Sequence, residues 1–529
     1  MEDENPLVTD ITVSAPAEIE EQRKRSRVAV WLDWAIIFWL FLFTIFAPHS
    51  IAITQIAWAG GLLTWVARFF FRPRPRINRT PIDYALLGFL ALTLISSLLS
   101  YDPSVSIGKL RAASLFTIIY LIAENVTSKY VLRLLALALI ASCMVNVLYT
   151  FGERIVGRGV KVEGIKAESP LERAIFVNEK GEEHLGPVKN GDTLLEVDGK
   201  PLRKPEELVA ALDKSSTEPA LLKIYSVEWV GVVRVARGHL LDGATPLERL
   251  GVASWSRGRD WRATGFYGHY VTYAEMLQLI ASLTLGLFVA LRRKRSLSGV
   301  LLAVAFAGMC GALLLTVTRA SWLALLLSAF VITIVGMSRR AVLITAGIAL
   351  PLVLAGLFIL HEKRQVGFVD QSDQSITWRE TVWREGFDLL KAKPRHLLVG
   401  VGMDSIKGHW REWGLFDEGR LPIGHMHNTF LQLAVERGVP ALLLWILFIF
   451  IYARVLWRMA LNGGIEGSIE RGIVLGALGG LIGFLASGMF EYNFGDSEVV
   501  MVFYLIMGLS LVIEREARKR VGQLDLTGD

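Results

Sequence analysis

The chain of 529 residues is 53% hydrophobic and only 20% charged, and its mean hydropathy is +0.44. These values exclude an ordinary soluble protein of this length, so the sequence predicts an all-α polytopic membrane protein. The formal net charge is +6, but the basic residues cluster beside apolar runs, as membrane anchoring requires, and nucleic acid is not an expected partner. Both cysteines, Cys143 and Cys310, lie inside apolar runs, which argues against a disulfide framework and against redox chemistry.

Apolar runs alternate with basic clusters along the chain. A helix needs ~20 mostly apolar residues to cross a bilayer, and about twelve such runs are present. Because basic clusters favour the cytoplasmic side, their positions predict that both chain ends are cytoplasmic. The predicted organisation is a cytoplasmic tail (1–30), transmembrane helices 1–5 (31–151), an outer insertion (152–262), helices 6–9 (263–360), a large outer loop (361–439), helices 10–12 (440–514) and a cytoplasmic tail (515–529).

The outer insertion is polar and has the pattern of a small folded domain. Its residues 188–213 predict a strand, an Asp-Gly turn at Asp198 and Gly199, a short strand and a helix. This order resembles the core of a PDZ domain, which implies a small α/β PDZ-like unit. The resemblance implies a protein partner that binds through the insertion, and a spacer role is the alternative.

A histidine-rich stretch precedes the tenth predicted span. His425 and His427 are suited to proton transfer near neutral pH, and they come directly before a short helical pattern. Asn428 is the predicted N-cap of that helix, and Gly438 is predicted to end it. The histidines have three interpretations: a metal-binding pair, for which no third ligand has a recognisable spacing, a structural hydrogen-bonded pair, or a general base with a substrate-positioning neighbour.

Three arginines in the predicted outer regions are candidate binders of an anionic group. Arg319 lies in the tight TVTRASW link between two spans, and its alternative role is to reach lipid head groups. Arg379 and Arg384 lie on a predicted helix with one apolar face, where a solvated surface charge is the alternative.

Two acids in the last outer loop, FEYNFGDSE, complete the candidate site. Glu491 and Asp496 are expected to orient a histidine or to bind an acceptor, and an ordinary polar loop is the alternative.

Four short segments together resemble the O-antigen ligase and O-antigen polymerase superfamily of membrane glycosyltransferases. The segments are HNTFLQLAVERG, TRASW, RATGFYGHYVTYAE and the spaced pattern of Arg379, Trp383, Pro394, Gly400 and Gly402. Their order and their common outward placement carry the resemblance, and the PDZ-like insertion departs from the usual family plan.

The resemblance implies transfer of a glycan from undecaprenyl pyrophosphate to an acceptor at the periplasmic face of a bacterial inner membrane. It also implies a GT-C-like enzyme that inverts the anomeric centre and needs neither a metal nor another cofactor. His427 would act on the acceptor hydroxyl, and Arg319 and Arg379 would stabilise the departing pyrophosphate. The expected substrate-binding residues are His425, Asn428, Arg384, Glu491 and Asp496.

Three reactions use this donor, and they differ in the acceptor. Transfer of O-antigen to lipid A core, the ligase reaction, is favoured, and the alternatives are an O-antigen or exopolysaccharide polymerase and a protein O-oligosaccharyltransferase. A polysaccharide or lipid transporter is the alternative from another class. It is less favoured because the predicted spans carry few ionisable residues at mid-membrane and show no repeat symmetry.

Overall fold

The computed structural model describes residues 26–177, 183–185, 188–226, 229–259, 261–344, 347, 374–421, 423–461, 465 and 467–527. They belong to two compact units. The larger unit comprises Met1–Met144, Phe266–Leu314 and Thr318–Asp529, as far as these are described. The smaller unit comprises Val145–Gly265 and Leu315–Val317.

The first part of the chain is helical, as expected. Each of the first two helices begins at a serine cap, with the hydroxyl of Ser26 accepting the N–H of Ala29 at 3.1 Å. The helices are α1 (Arg27–Phe46), α2 (Ile51–Arg68), α3 (Asp83–Leu98), α4 (Pro103–Ala113), α5 (Thr117–Asn125) and α6 (Lys129–Val156).

The smaller unit is built on an antiparallel sheet. The strands are β1 (Arg158–Ile165), β2 (Ile175–Val177), β3 (Glu183–Leu185), β4 (Thr193–Val197), β5 (Lys200–Pro201), β6 (Ala220–Ser226), β7 (Trp229–Val235) and β8 (Val252–Gly258), with helices α7 (Pro205–Leu212) and α8 (Pro246–Leu250). The described strands follow the order β3-β2-β7-β6-β4-β1-β8 in the sheet, and β5 pairs with β4.

The predicted strand, turn, strand and helix of the insertion are confirmed as β4, a turn, β5 and α7. Asp198 and Gly199 form the turn, with φ of 50° and 74°, which is the left-handed geometry of a tight hairpin. Leu194, Leu208 and Leu222 pack in one buried core. The PDZ-like character of this unit stays a prediction.

The second part of the chain returns to helices. Eight of the helices given below are longer than eight residues, and two, Pro394–Val399 and Ser405–His409, are shorter. The helices are α9 (Tyr270–Ala290), α10 (Leu297–Thr316), α11 (Arg319–Gly336), α12 (Gln374–Ala392), α13 (Pro394–Val399), α14 (Ser405–His409), α15 (Thr429–Arg437), α16 (Val439–Leu461), α17 (Ser468–Ser487) and α18 (Ser497–Thr527).

Nine helical segments in the described part of the chain are long and apolar enough to cross a membrane, with α4 and α5 counted together as the segment Pro103–Asn125, so the protein is a multi-pass membrane protein. Two further predicted spans correspond to α2 and α3, which are helical but fall short of that standard. The last of the predicted helices 6–9, over residues 341–360, lies largely outside the described residues. The count of about twelve therefore stays a prediction.

Glycines let α9 and α17 pack backbone against backbone in the larger unit. A Cβ built on Gly286 of α9 would lie 2.3 Å from the backbone nitrogen of Gly476 in α17. A Cβ built on Gly476 would lie 2.5 Å from the Cα of Leu283. Small residues at a helix crossing allow this approach, which improves van der Waals packing where no hydrophobic driving force acts between helices.

Replacement of Gly476 by alanine should therefore destabilise the bundle. We expect Gly476→Ala to lower the free energy of unfolding by ~1–3 kcal/mol because two backbones must separate. The measurement is thermal unfolding in detergent. Gly480→Ala is the matched control, since a Cβ at Gly480 would meet its nearest atom at 3.6 Å. Equal destabilisation by both variants would contradict the packing argument.

The segment between α12 and α15 forms a small core of its own. Val382 and Leu389 of α12 pack with Val401 and Ile406, and the indole of Trp383 donates to the carbonyl oxygen of Met426 at 2.9 Å. These contacts hold α12 beside the histidine-containing stretch before α15. Two residues on the face of α12 that was predicted to be apolar differ in exposure: Leu390 is buried, whereas Phe387 is 49% exposed.

Candidate functional site

The start of α15 is tied to the end of α17. The side chain of Asn428 caps α15 by accepting the N–H of Leu431 at 3.0 Å, which confirms the predicted N-cap. Its amide donates to the carbonyl oxygen of Met489 at 2.9 Å, and the N–H of Thr429 donates to the carbonyl oxygen of Gly488 at 2.7 Å. These bonds bring the loop that contains His427 against the loop that contains Glu491.

His427, Glu491 and Arg379 form a hydrogen-bonded series. Nδ1 of His427 lies 2.8 Å from Oε2 of Glu491, and Oε1 of the same carboxylate accepts from Nη2 of Arg379 at 2.7 Å. Arg379 also donates to the carbonyl oxygen of Phe490 at 3.3 Å. One carboxylate thus orients both an imidazole and a guanidinium.

Trp378 packs against both ends of this series. Its ring meets the His427 ring edge to face at 4.6 Å between centroids, and the guanidinium carbon of Arg379 lies 4.9 Å from the indole centroid. The backbone of His427 has a φ of 46°, an uncommon left-handed conformation for a residue other than glycine. The surrounding contacts hold this conformation, and such backbone strain concentrates at functional sites.

The Glu491 carboxylate is ionised although it is nearly buried. Burial raises its pKa, but the hydrogen bond and charge of His427 and the charge of Arg379 together lower the pKa of Glu491 to about 2. An ionised carboxylate accepts hydrogen bonds only, so Nδ1 of His427 carries the proton of the shared bond. Nε2 is then the ring nitrogen that can exchange a proton with a bound molecule.

His425 is a neutral neighbour of His427. The ring centroids lie 4.0 Å apart, and Nδ1 of His425 accepts the backbone N–H of His427 at 3.2 Å. Burial and the proximity of His427 lower the pKa of His425 to about 3. At neutral pH, His425 is therefore an uncharged imidazole that supports the backbone of His427.

These residues line a cavity of about 560 Å³, which is large enough for a sizeable ligand. One part of its wall is apolar and comes from α3, with Leu86, Phe89 and Leu90. Other parts are charged, so the cavity offers both an apolar and an ionic surface to one ligand.

A second polar group in the cavity surrounds Glu436. This carboxylate accepts the backbone N–H of Asp404 at 2.9 Å, the amide of Gln432 at 2.8 Å and the hydroxyl of Tyr492 at 3.3 Å. Burial raises the pKa of Glu436. The Asp404 carboxylate is paired with Lys109 at 2.9 Å and with Lys407 at 3.0 Å.

Arg437 places a buried cation beside the cavity. The residue is 7% exposed, and its guanidinium carbon lies 5.3 Å from the ring centroid of Phe89 and 5.9 Å from that of Phe494. Aromatic faces stabilise a cation without neutralising it, so this charge remains effective in the cavity.

An acidic group lies at the first turns of α9 and α18. Oδ2 of Asp496 accepts from the Thr272 hydroxyl at 2.5 Å, and Oδ1 of Asp496 accepts the backbone N–H of Glu498 at 3.1 Å. Within the described part of the chain, no group of three or more His, Cys, Asp or Glu side chains is positioned to hold a metal ion.

The structure brings together five of the eight residues expected at the site. His427, His425, Arg379, Glu491 and Asp496 all line the cavity. The other three are not among its lining residues: Asn428 caps α15, Arg384 has an exposed side chain on α12, and Arg319 is the first residue of α11.

Sequence reasoning missed the buried pair Glu436 and Arg437 and the aromatic Trp378. The pattern gave no signal for the pair, because Glu436 lies one turn after Gln432 on the polar side of the predicted helix, where charged residues usually face water. Trp378 gave no signal either, since a tryptophan on an amphipathic helix is usually part of its apolar face.

Residues 304–446 match the family model described as O-Antigen ligase. Over these residues the chain is similar to O-antigen ligases. The expected resemblance is thereby confirmed, as is the expectation of an O-antigen ligase-like glycosyltransferase. The matched region includes Arg379, both histidines and Arg437, whereas Glu491 and Asp496 lie beyond it. No protein with a curated description matches the chain.

The lowered pKa of His425 predicts a pH-dependent stability. Its pKa is 6.5 in the unfolded chain and about 3 in the folded protein, so below pH 6.5 only the unfolded chain gains this proton. The contribution of His425 to the free energy of unfolding is therefore fully present above pH 6.5 and decreases as the pH falls toward 3. At pH 5 the decrease amounts to up to ~2 kcal/mol.

We expect His425→Gln to reduce the fall in melting temperature between pH 7 and pH 5, measured on purified protein in detergent. Glu491 does not contribute to the change in stability between pH 7 and pH 5, because its lowered pKa affects stability only below about pH 4.5. An unchanged pH dependence in His425→Gln would show that His425 gains its proton in the folded protein.

Proposed function

We propose that this protein moves a glycan from undecaprenyl pyrophosphate to an acceptor at the periplasmic face of a bacterial inner membrane, and that the acceptor is lipid A core. The observation that carries the proposal is the series His427, Glu491 and Arg379 in the wall of a cavity with both apolar and ionic surfaces. A lipid-linked pyrophosphate donor matches both surfaces, because its isoprenoid chain is apolar and its pyrophosphate carries two negative charges.

His427 supplies the base in this proposal. Its Nε2 takes the proton of the acceptor hydroxyl while the hydroxyl oxygen attacks the anomeric carbon. The ionised Glu491 holds the ring through Nδ1 and stabilises the imidazolium that forms, which is the role of the carboxylate in a catalytic triad. The bond from the anomeric carbon to the phosphate oxygen breaks, and the single displacement inverts the anomeric centre.

Cations stabilise the departing lipid pyrophosphate. Arg379 is already oriented by Glu491, the carbonyl oxygen of Phe490 and Trp378, so little rotamer entropy is lost when it binds phosphate. Arg437 adds a charge that is held in a low-dielectric environment, where its attraction for phosphate is stronger than in water. Arg319 is proposed as a further phosphate ligand on the strength of the family motif alone.

Helix direction supports a periplasmic cavity. The cavity includes His269 and Thr272 at the beginning of α9, whereas the cluster Arg292–Arg295 follows the end of the same helix. Since basic clusters favour the cytoplasm, the beginning of α9 faces the opposite side. Both chain termini are cytoplasmic in this orientation.

The proposal is tested by glycan transfer with purified protein, an undecaprenyl-pyrophosphate-linked glycan and lipid A core, in the presence of a chelator. We expect a new bond between the glycan and lipid A core. Lengthening of the donor's own glycan would instead identify a polymerase, and transfer to an added protein would identify a protein O-oligosaccharyltransferase. Movement of the donor across vesicles with no new glycosidic bond would contradict an enzyme and support a transporter.

In the same assay, Arg379→Ala and Arg319→Ala should each reduce kcat/KM by about a hundredfold or more, as loss of a transition-state donor does. Their melting temperatures should change little by comparison. Arg411→Ala is the matched control, because Arg411 is an exposed arginine on the same predicted outer loop as Arg379 and does not line the cavity. Wild-type activity in both test variants would overturn the proposed phosphate contacts.

A further inference from the structure

A second cavity, of about 920 Å³, lies at the opposite ends of the helices in the larger unit. It is bounded by the beginning of α1, the end of α2, the link between α5 and α6, and the C-terminal part of α18. Its basic lining residues are Arg68, Arg74, Arg76, Arg515 and Lys519, and its acidic lining residues are Asp33 and Glu124. The lining thus has a clear excess of positive charge.

Two of the arginines build the wall of this cavity. Arg68 is 4% exposed and donates to Asp33 at 2.8 Å and to the carbonyl oxygens of Phe71 and Pro73. Arg515 is also buried and donates to the carbonyl oxygens of Ala123 and Val126. Both guanidinium groups are fixed by the protein, and each is paired with a carboxylate: Arg68 with Asp33 at 2.8 Å, and Arg515 with Glu516 at the longer distance of 3.4 Å.

Three exposed cations complete the lining. Arg74 and Arg76 lie on the Pro-rich link after α2, and Lys519 lies on α18 at 3.5 Å from Glu516. The Glu124 carboxylate accepts hydrogen bonds from the backbone N–H of Asn78 at 3.2 Å and from its side-chain amide at 2.8 Å. Since Arg68, Arg515 and Lys519 are paired with carboxylates, the positive charge that the cavity offers to an anionic ligand comes mainly from the exposed Arg74 and Arg76.

An apolar strip runs from this cavity along α1. Trp34 is 69% exposed and Val30 is 38% exposed, and Ile37 lies one turn further along the same helix. Exposed tryptophan beside basic residues is typical of the membrane interface, where acyl chains meet head groups. A ligand with a phosphate head group and acyl chains fits both parts of the lining.

We propose that this cavity binds the phosphate head group of an anionic phospholipid, with its acyl chains along the exposed face of α1. Basic pockets between membrane helices on the cytoplasmic side commonly hold such head groups. The inference does not rest on the proposed glycosyl transfer, since the two cavities share no lining residue.

The test is a titration of full-length protein in neutral detergent with dioleoyl-phosphatidylglycerol or dioleoyl-phosphatidylcholine, with bound lipid counted by native mass spectrometry. We expect phosphatidylglycerol to bind more tightly than phosphatidylcholine. The variant Arg74→Gln/Arg76→Gln should bind phosphatidylglycerol about thirtyfold more weakly, because each interfacial cation contributes to the attraction. Both side chains are exposed, so the fold should survive.

Arg339→Gln/Arg340→Gln is the matched control, since it removes two exposed cations on the proposed cytoplasmic side that do not line this cavity. It should retain wild-type affinity. Equal weakening in the two double variants would overturn the site and leave only a general surface attraction. Displacement of the lipid by millimolar inorganic phosphate would overturn the lipid assignment in favour of a soluble phosphate ligand.

Discussion

Glu491 is a nearly buried carboxylate whose two oxygens bind two different partners, His427 and Arg379. Burial alone would favour its neutral form, and the two partners reverse that preference and bring its pKa to about 2. The ionised form in turn fixes which nitrogen of His427 carries the proton and which way Arg379 points. The chemistry proposed for the cavity depends on this one ionisation state.

The fold places Glu491 in contact with His427 and Arg379 by bringing together distant parts of the chain. Glu491 follows α17, His427 precedes α15 and Arg379 lies on α12. The hydrogen bonds from the Asn428 amide to the carbonyl oxygen of Met489 and from the Thr429 N–H to that of Gly488 hold the first two loops together. The close packing of α9 against α17 fixes the position of α17, so glycines far from the cavity contribute to its geometry.

Local patterns in the sequence predicted the local features well. The helical spacing after Asn428, the stop at Gly438 and the hairpin at Asp198 each depend on a few adjacent residues, and each is present. The sequence also named Glu491 and His427 as candidates. It did not predict that Glu491 bonds both His427 and Arg379, because such contacts depend on how helices pack rather than on spacing along the chain.

Other placements depend on how the helices pack. Arg384 is five positions after Arg379 on α12, which turns its side chain to another face of the helix, and that side chain is exposed. Glu436 and Arg437 were passed over because charged residues are rarely buried. They are buried because hydrogen bonds from Gln432 and Tyr492 satisfy Glu436, and aromatic rings cover Arg437.

The most direct test of the central claim is a double-mutant cycle on glycan transfer, with His427→Ala, Glu491→Gln and the two combined. If Glu491 acts through His427, its substitution should have a much smaller effect once His427 is gone, and the two losses in kcat should couple by more than ~1 kcal/mol. The melting temperatures of all four proteins serve as the control for folding. Losses that simply add would contradict the account, because they would mean that the carboxylate and the imidazole act independently.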